Sequence, residues 1–574
     1  MRSAPDQSPE FQPDFPPRLQ TLGHESTGHS ATGPAPTGPA PTGPAPTGPA
    51  PTGPQATHPP ASQDGPSFGP TAETVSLRKL LPHAKFFQCD DITVSRLVLN
   101  IAEAGPGDLV VFRTGVDDPV AIAAQALARG VTGILTEQLL PCPLPQAVVD
   151  ETVDAECLIA DRIEGHPSDS LLTIAVIGDA GKTSTALMIA GLLKRIGIRT
   201  AYETDLGDSD GIVQNVAATH ATRSDLIAKI AAARDASCGA IVVELPEGAA
   251  NHGHGVRWDL VVITGAEAGP TTSMERPDFG PDPLAFVLER AKRDAVVIAP
   301  ADHPKLSRRI AQSGLRQVTY GTRRPAELSA KVFDEQPGET TLMVSFGDET
   351  AMMRTQHCGE ANALNALAAI AVGLLLETPL TDAVEAVAKT PTIPGRMQRL
   401  PGRDSAAVVI DAGGSPERVA GTLRTLRRQR TNGGKLWCIL TLGKCGAQPN
   451  SVVLDSDRFA RTGRYLERFA DRIVLTSSDD AKPTFLASAH AVLDGFKEVA
   501  LARLVADPGR AIDWAIRHAT PHDTILIITA VSSRVPSDRR QSTQELVRRI
   551  DLARSTTPHT HDNGPQILKM TRKA

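Results

Sequence analysis

The sequence predicts a multidomain α/β protein built around helix-covered parallel sheets. Three observations carry that prediction. Short apolar, β-rich runs alternate with helical stretches from about residue 74 to 553. One of these runs, Leu171 to Ile177, opens directly into a glycine loop with a lysine, Gly178-Asp-Ala-Gly181-Lys182-Thr183-Ser184. The alternation breaks once, at Pro391 to Pro394, and then resumes as a second series.

Residues 1–73 read as an extended arm, with APTGP repeated between Thr32 and Pro54. Eighteen of the chain's 46 prolines fall in its first 70 residues, a density that leaves little apolar surface to bury. A flexible spacer is the preferred reading over a ligand for a proline-binding module. Residues 74–170 form a small α/β domain, with strands expected at Asp108 to Phe112, Gly133 to Leu135 and Cys157 to Ile159 and a helix at Ala121 to Arg129.

Residues 171–392 form a central domain, with strands at Ala240 to Glu244, Leu260 to Thr264 and Ala295 to Ala299 and a long Ala/Leu-rich helix at Glu360 to Leu376. Residues 393–553 repeat the pattern at Ala407 to Asp411, Leu436 to Thr441, Arg472 to Thr476 and Thr524 to Thr529, a doubly wound, Rossmann-like sheet. Residues 554–574 are a polar tail.

At 574 residues the chain has room for three or four domains. Its net charge of −6 argues against a general nucleic-acid binder, which carries a basic excess. No apolar stretch is long enough for a membrane span, and the start lacks the apolar core of a secretory signal. Seven cysteines without CxxC pairs fit a reducing compartment, so a cytoplasmic location is expected.

The glycine loop carries the clearest chemistry. Gly178 and Gly181 let backbone N–H groups close around phosphate oxygens, and the helix that follows adds its dipole. Lys182 offers a charge to the outer phosphates, and the Thr183 and Ser184 hydroxyls can join a magnesium shell. The full G-x-x-x-x-G-K-[ST] spacing is not met, because Val176 stands at the first glycine position, and Asp179 puts a negative charge in the loop. An ordinary strand-to-helix turn is the alternative. Glu244, at the end of an apolar strand, can hold magnesium or be a solvated acid. His252 and His254, in a glycine loop, read as exposed rather than as metal ligands.

The loop is similar to the G-T-N-G-K-T-T loop of the ATP-dependent Mur ligases of peptidoglycan synthesis, most closely the MurE type. Gly359-Glu-Ala-Asn362-Ala-Leu-Asn365-Ala-Leu-Ala-Ala369 resembles that family's G-x-x-N-x-x-N-x-L-A-A helix start, and Pro394-Gly395-Arg396-Met397-Gln398 its P-G-R-M-E. Asp411-Ala-Gly-Gly-Ser-Pro416 resembles D-Y-A-H-T-P, and Ser95-Arg96 with Gly107-Asp108-Leu109 resembles the segment that faces the uridine nucleotide. The resemblance covers residues 74–550 and implies a three-domain Mur ligase-like architecture with a central P-loop-type ATPase domain.

It implies an activity as well. ATP would phosphorylate the carboxylate of a UDP-muramoyl peptide, and an amino acid would displace the phosphate from the acyl phosphate. By the same resemblance Lys182 would neutralise phosphates, Thr183 and Glu244 would stand near Mg2+, Asn362 would touch the nucleotide, and Arg396 and Asp411 would close over it. Lys292 is the one residue offered for the family's carbamylated, metal-bridging lysine, with an exposed helix lysine as its alternative.

The departures fall on chemistry. The family's E-V-S-S-H becomes Glu244-Leu-Pro-Glu-Gly248, its F-T-N becomes Ile263-Thr264-Gly265, and its D-H-L-D-x-H-G has no counterpart in Gly269 to Pro283. G-x-G-G-x-R-D becomes Gly443-Lys-Cys-Gly446-Ala-Gln-Pro, and D-N-P-R becomes Ser478-Asp-Asp-Ala481, with acids near where a guanidinium fork would be. G-K-G-H-E becomes Thr529-Ala-Val-Ser-Ser533. Two functions are therefore expected in competition: a MurE-like ligase, or a degenerate Mur-like nucleotide-binding scaffold partnering other cell-wall synthesis proteins.

Overall fold

The computed structural model describes residues 74–556 except 213, 216–222, 246–254, 266–282, 403, 431–432, 444–451, 479–483 and 530–535. The proline-rich arm, His252, His254, the polar tail from residue 557 and most of the departing substrate segments lie outside the described residues. The described chain divides into two compact units that meet in sequence at Val148/Val149.

The first unit holds a five-stranded sheet in the order Lys85–Phe87, Gln146–Val148, Gly133–Thr136, Asp108–Val111, Arg96–Val98, parallel except for the first strand. Its helix Pro119–Arg129 starts where Asp118 accepts from the N–H groups of Val120 and Ala121, and stops at Gly130 in the left-handed region. Arg96 and Asp108 bind each other in a fork, Nε to Oδ1 at 2.9 Å and Nη2 to Oδ2 at 2.6 Å. That fork holds the Asp108 carboxyl below the usual carboxylate range.

The second unit begins, among the described residues, at Val149. Cys157 to Ile159 is not a strand: it lies in helix α1 (Thr152–Ile163), which buries Ala155, Ile159 and Ala160 at helical spacing and packs on the helix Arg223–Asp235. A strand would have put neighbouring Leu158 and Ile159 on opposite faces of a sheet, and Leu158 is solvent-exposed.

The central sheet has eleven strands: β1 (Leu172–Ile177), β2 (Thr200–Thr204), β3 (Gly207–Ser209), β4 (Gln214–Asn215), β5 (Ala240–Glu244), β6 (Trp258–Ile263), β7 (Ala291–Pro300), β8 (Arg316–Gly321), β9 (Leu328–Gln336), β10 (Glu339–Phe346) and β11 (Glu349–Thr355). Their order is β4-β3-β2-β5-β1-β6-β7-β8-β9-β10-β11. The run from β2 to β9 is parallel, and both edges turn antiparallel. Strand β1 is central and buried along its whole length.

Helix α2 (Lys182–Arg195) follows β1, and α3 (Glu360–Leu375) packs against it. Twelve residues of α3 are buried, so this helix is apolar on nearly all sides, as an interior helix must be. Close packing needs Gly373, where a Cβ would stand 3.0 Å from Leu192 and 3.2 Å from Ala383.

The C-terminal sheet contains β12 (Gln398–Leu400), β13 (Ala407–Ala412), β14 (Leu436–Leu442), β15 (Arg472–Ser477), β16 (Ala502–Leu504) and β17 (Thr524–Thr529), in the order β12-β13-β17-β14-β15-β16. All pairs but β12–β13 are parallel. Strand β14 sends Leu436, Cys438 and Leu440 to one core with Leu423 of helix α4 (Pro416–Arg428). It sends Trp437 and Ile439 to the other, with Ile512 of helix α5 (Pro508–His518). Helices cover both faces. Among the described residues, no helix is long and apolar enough to cross a membrane.

Candidate functional site

The loop after β1 is held by the end of β6. Thr264 donates its N–H and its hydroxyl to Ile177 O at 2.8 and 3.1 Å, and Asp179 N–H donates to Gly265 O at 3.2 Å. Both glycines are sterically required. Gly178 has φ +140°, and a Cβ there would stand 2.4 Å from Thr264 Oγ1. Gly181 has φ +86°, and its Cβ would stand 2.2 Å from Asn365 Oδ1. Lys182 lies back over the loop, its Nζ donating to Gly178 O at 2.9 Å.

Behind the lysine is a buried cluster. Thr183 donates from Oγ1 to Glu244 Oε1 at 3.0 Å, and Asp205 N–H donates to Glu244 Oε2 at 2.9 Å. Burial pushes the Glu244 carboxyl up, and the nearby Asp205 charge adds to the push, while Lys182 and Arg396 pull the other way. Arg396 arrives from the C-terminal segment and donates from Nη2 to Thr183 Oγ1 at 3.2 Å. Burial and its neighbour Arg418 pull its guanidinium below the ordinary arginine range. Left-handed residues on both sides, Gly395 at φ +66° and Met397 at φ +49°, turn the chain at this point.

Asp411, 4% exposed at the end of β13, fixes that turn. It accepts from Met397 N–H at 3.2 Å and from the Thr422 hydroxyl at 2.7 Å, with Arg418 Nη2 at 3.6 Å. Asn362 donates from Nδ2 to Cys358 O at 2.8 Å, and Asn365 donates to Asn362 Oδ1 at 3.3 Å, so the two asparagines brace the start of α3 beneath the loop.

These groups border a cleft of about 440 Å³ between the central and C-terminal sheets, lined by Gly181, Ser184, Asn362, Arg396 and Asp411 among others. Its C-terminal wall is helix α4, through Arg418, Thr422, Thr425 and Arg428. The sequence reading missed this cationic face. Its signal was the spacing of those four residues by three and four along a helix after Asp411.

Lys292 is not at this site, and it is not a helix lysine. It stands near the start of β7, with only 13% of its side chain exposed, and its Nζ donates to both oxygens of Asp259 at 3.0 and 2.9 Å and to Ser168 O at 2.8 Å. Asp259 accepts from Thr173 at the N-terminal end of β1, whereas the loop follows the C-terminal end. A strand rises about 3.3 Å per residue, so roughly 16 Å of sheet separates Lys292 from Gly178. It cannot bridge metals beside Thr183 and Glu244.

A glycine-lined loop at the carboxyl edge of a parallel sheet, facing arginines from a second doubly wound sheet, defines a two-sheet α/β protein with a cleft suited to phosphate groups. The chain is similar to the Mur ligases in two stretches. Residues 284–373 match the Mur ligase middle domain, and residues 395–531 match the Mur ligase glutamate ligase domain.

Among relatives, it is 28% identical to the UDP-N-acetylmuramoyl-L-alanyl-D-glutamate–2,6-diaminopimelate ligase of Ralstonia nicotianae, over 74% of this chain and 83% of that protein. It is also 28% identical to the ligase of the same name from Pseudomonas putida, over 79% and 92%. The fold resembles a solved structure of a ligase with that name, with TM-score 0.57, 18% identity and coverage of 83% and 100%. It also resembles the MurF ligase of Thermotoga maritima in complex with ADP, with TM-score 0.56, 17% identity and coverage of 79% and 98%.

Proposed function

We propose that the protein is an ATP-dependent ligase of peptidoglycan precursor synthesis, joining the carboxylate of a UDP-N-acetylmuramoyl peptide to an amino acid in the cytoplasm. The observation that carries this reading is the chain Glu244–Thr183–Arg396, which ties the phosphate loop to the C-terminal sheet across the cleft. In this reading Lys182 leaves Gly178 O to neutralise the outer phosphates of ATP, and the loop N–H groups hold their oxygens. Arg396 and Arg418 supply the positive charge that faces them from the other wall. Asn362 and Asn365 hold the loop in place from below, and Asp411 keeps Arg396 aimed.

The donor set fits magnesium. The Thr183 hydroxyl and the Glu244 carboxylate are hard oxygen donors on one side of the loop, and magnesium takes one or two such groups with phosphates and water. Bound there, the ion would neutralise charge on the phosphates being separated. Among the described residues, no group of three or more His, Cys, Asp and Glu forms a closed metal cage, which suits an ion completed by its nucleotide.

A second reading is favoured by one observation: with Lys292 on the far edge of the sheet, the described cleft has no candidate for a metal-bridging lysine. A nucleotide-binding scaffold would need none. The two readings separate by product. The protein incubated with magnesium-ATP, UDP-muramoyl dipeptide and a panel of amino acids should give a product heavier by one residue in mass spectrometry. ADP binding without such a product would favour the scaffold.

A further inference from the structure

A second cavity lies apart from the nucleotide cleft. A hollow of about 750 Å³ lies at the opposite, amino edge of the C-terminal sheet, where β14, β15 and β17 begin. Strand β14 runs about 20 Å from this edge to the edge that carries Asp411, so the two sites share a sheet but no residue.

Its chemistry is cationic and aromatic. Lys435, Arg472 and Arg503 border it, with His518 and His522. Among the described residues, no carboxylate lies within ion-pair reach of Lys435, Arg472 or Arg503. Arg503 is held over the Trp514 ring at 4.3 Å, and Trp514 stands edge-on to Trp437 at 5.5 Å. The one acid of the lining, Asp523, is buried and fully engaged: it accepts from Lys435 N–H at 2.7 Å, Thr520 N–H at 2.9 Å and Trp437 Nε1 at 3.1 Å. Its charge therefore fixes the loops, and the cations are left facing the cavity.

We propose that this cavity is a second binding site, for a phosphorylated organic anion of nucleotide size. Three cations without acid partners match the two or three charges of a diphosphate better than the single charge of a carboxylate. The volume exceeds what bare phosphate fills and suits a ligand with an organic part, which Leu501 and Trp514 would cover. The site does not depend on the ligase reading, since it uses no residue of the cleft.

The test is a titration of the full chain, carrying Lys182→Ala to silence the phosphate loop, with guanosine diphosphate and with pyrophosphate. Emission of Trp437 and Trp514 reports the cavity locally, and calorimetry reports total binding. The expected result is a saturable change with guanosine diphosphate, weakened roughly tenfold or more by Arg472→Glu, an exposed side chain with no acid partner among the described residues. Trp514→Phe should remove most of the optical signal while calorimetric binding persists. Unchanged affinity in Arg472→Glu, or no saturation by about 10 mM, a concentration at which binding would be worth only ~3 kcal/mol, would overturn the site. Pyrophosphate binding as tightly as the nucleotide would overturn the organic part of the assignment.

Discussion

Arg396 donates to Thr183 Oγ1 at 3.2 Å across 213 residues of sequence, and that one bond joins the turn of the C-terminal segment to the phosphate loop. The same hydroxyl donates to Glu244, so the arginine reads the state of the buried carboxylate through a single oxygen. Replacing Arg396 with alanine should weaken ADP binding about ten- to a hundredfold, as loss of a charge-assisted contact to phosphate does. Arg396→Lys should recover part of it. Calorimetry with magnesium-ADP measures both, and equal affinity in all three proteins would remove Arg396 from the site.

Gly181→Ala should cost about 2–4 kcal/mol of stability, because its Cβ would overlap the buried Asn365 amide and its φ is left-handed. The double variant with Asn365→Ala should recover only part of the loss, since the overlap goes and the backbone strain remains. Denaturant melts of the three variants give the comparison. Full recovery would show that strain contributes nothing.

Lys292→Met should destabilise the fold by about 2–4 kcal/mol, since it removes the ammonium that compensates a buried carboxylate. Nucleotide affinity should stay as it is. Carbon-13 bicarbonate should give no carbamate signal assignable to this lysine, and a signal that Lys292→Met abolishes would contradict its placement.

The Glu244 carboxyl is pushed above its ordinary value of 4.5, so it favours the folded state when protonated. The sign follows: its contribution is fully present below that value and is lost as pH rises through the raised folded pKa. Glu244→Gln, which stays neutral, should therefore melt higher than the parent at neutral pH and nearly match it near pH 4.5. Magnesium-ATP should reverse the order, since the parent carboxylate gains a cation. Thermal melts across pH with and without the nucleotide test both halves.

Much of the architecture was legible. Strand β1 followed by Gly178 and Lys182, and the buried helix opening at Gly359, announce themselves through local pattern: an apolar run, a glycine where only glycine fits, and a helix apolar on all sides. Lys292 was not legible, because its role depends on Asp259, a residue 33 positions away that only sheet register brings alongside. Cys157 to Ile159 was misread because a short apolar run suits a strand or a helix equally, and packing against the helix Arg223–Asp235 decided the matter. In the antiparallel edge β9 to β11, Ala351, Met353 and Thr355 are buried at a period of two, but the exposed Met352 between them hides that alternation in the sequence. The amino-edge cavity left no trace at all, since Lys435, Arg472, Arg503 and Trp514 sit on separate elements.

The most direct test of the account is phosphate release from magnesium-ATP in the presence of UDP-muramoyl dipeptide and an amino acid, for the parent chain and for Lys182→Ala. The account predicts release that needs both substrates and falls at least a hundredfold, about 2.7 kcal/mol, in the variant. Release from the folded parent no greater than from Lys182→Ala would contradict it.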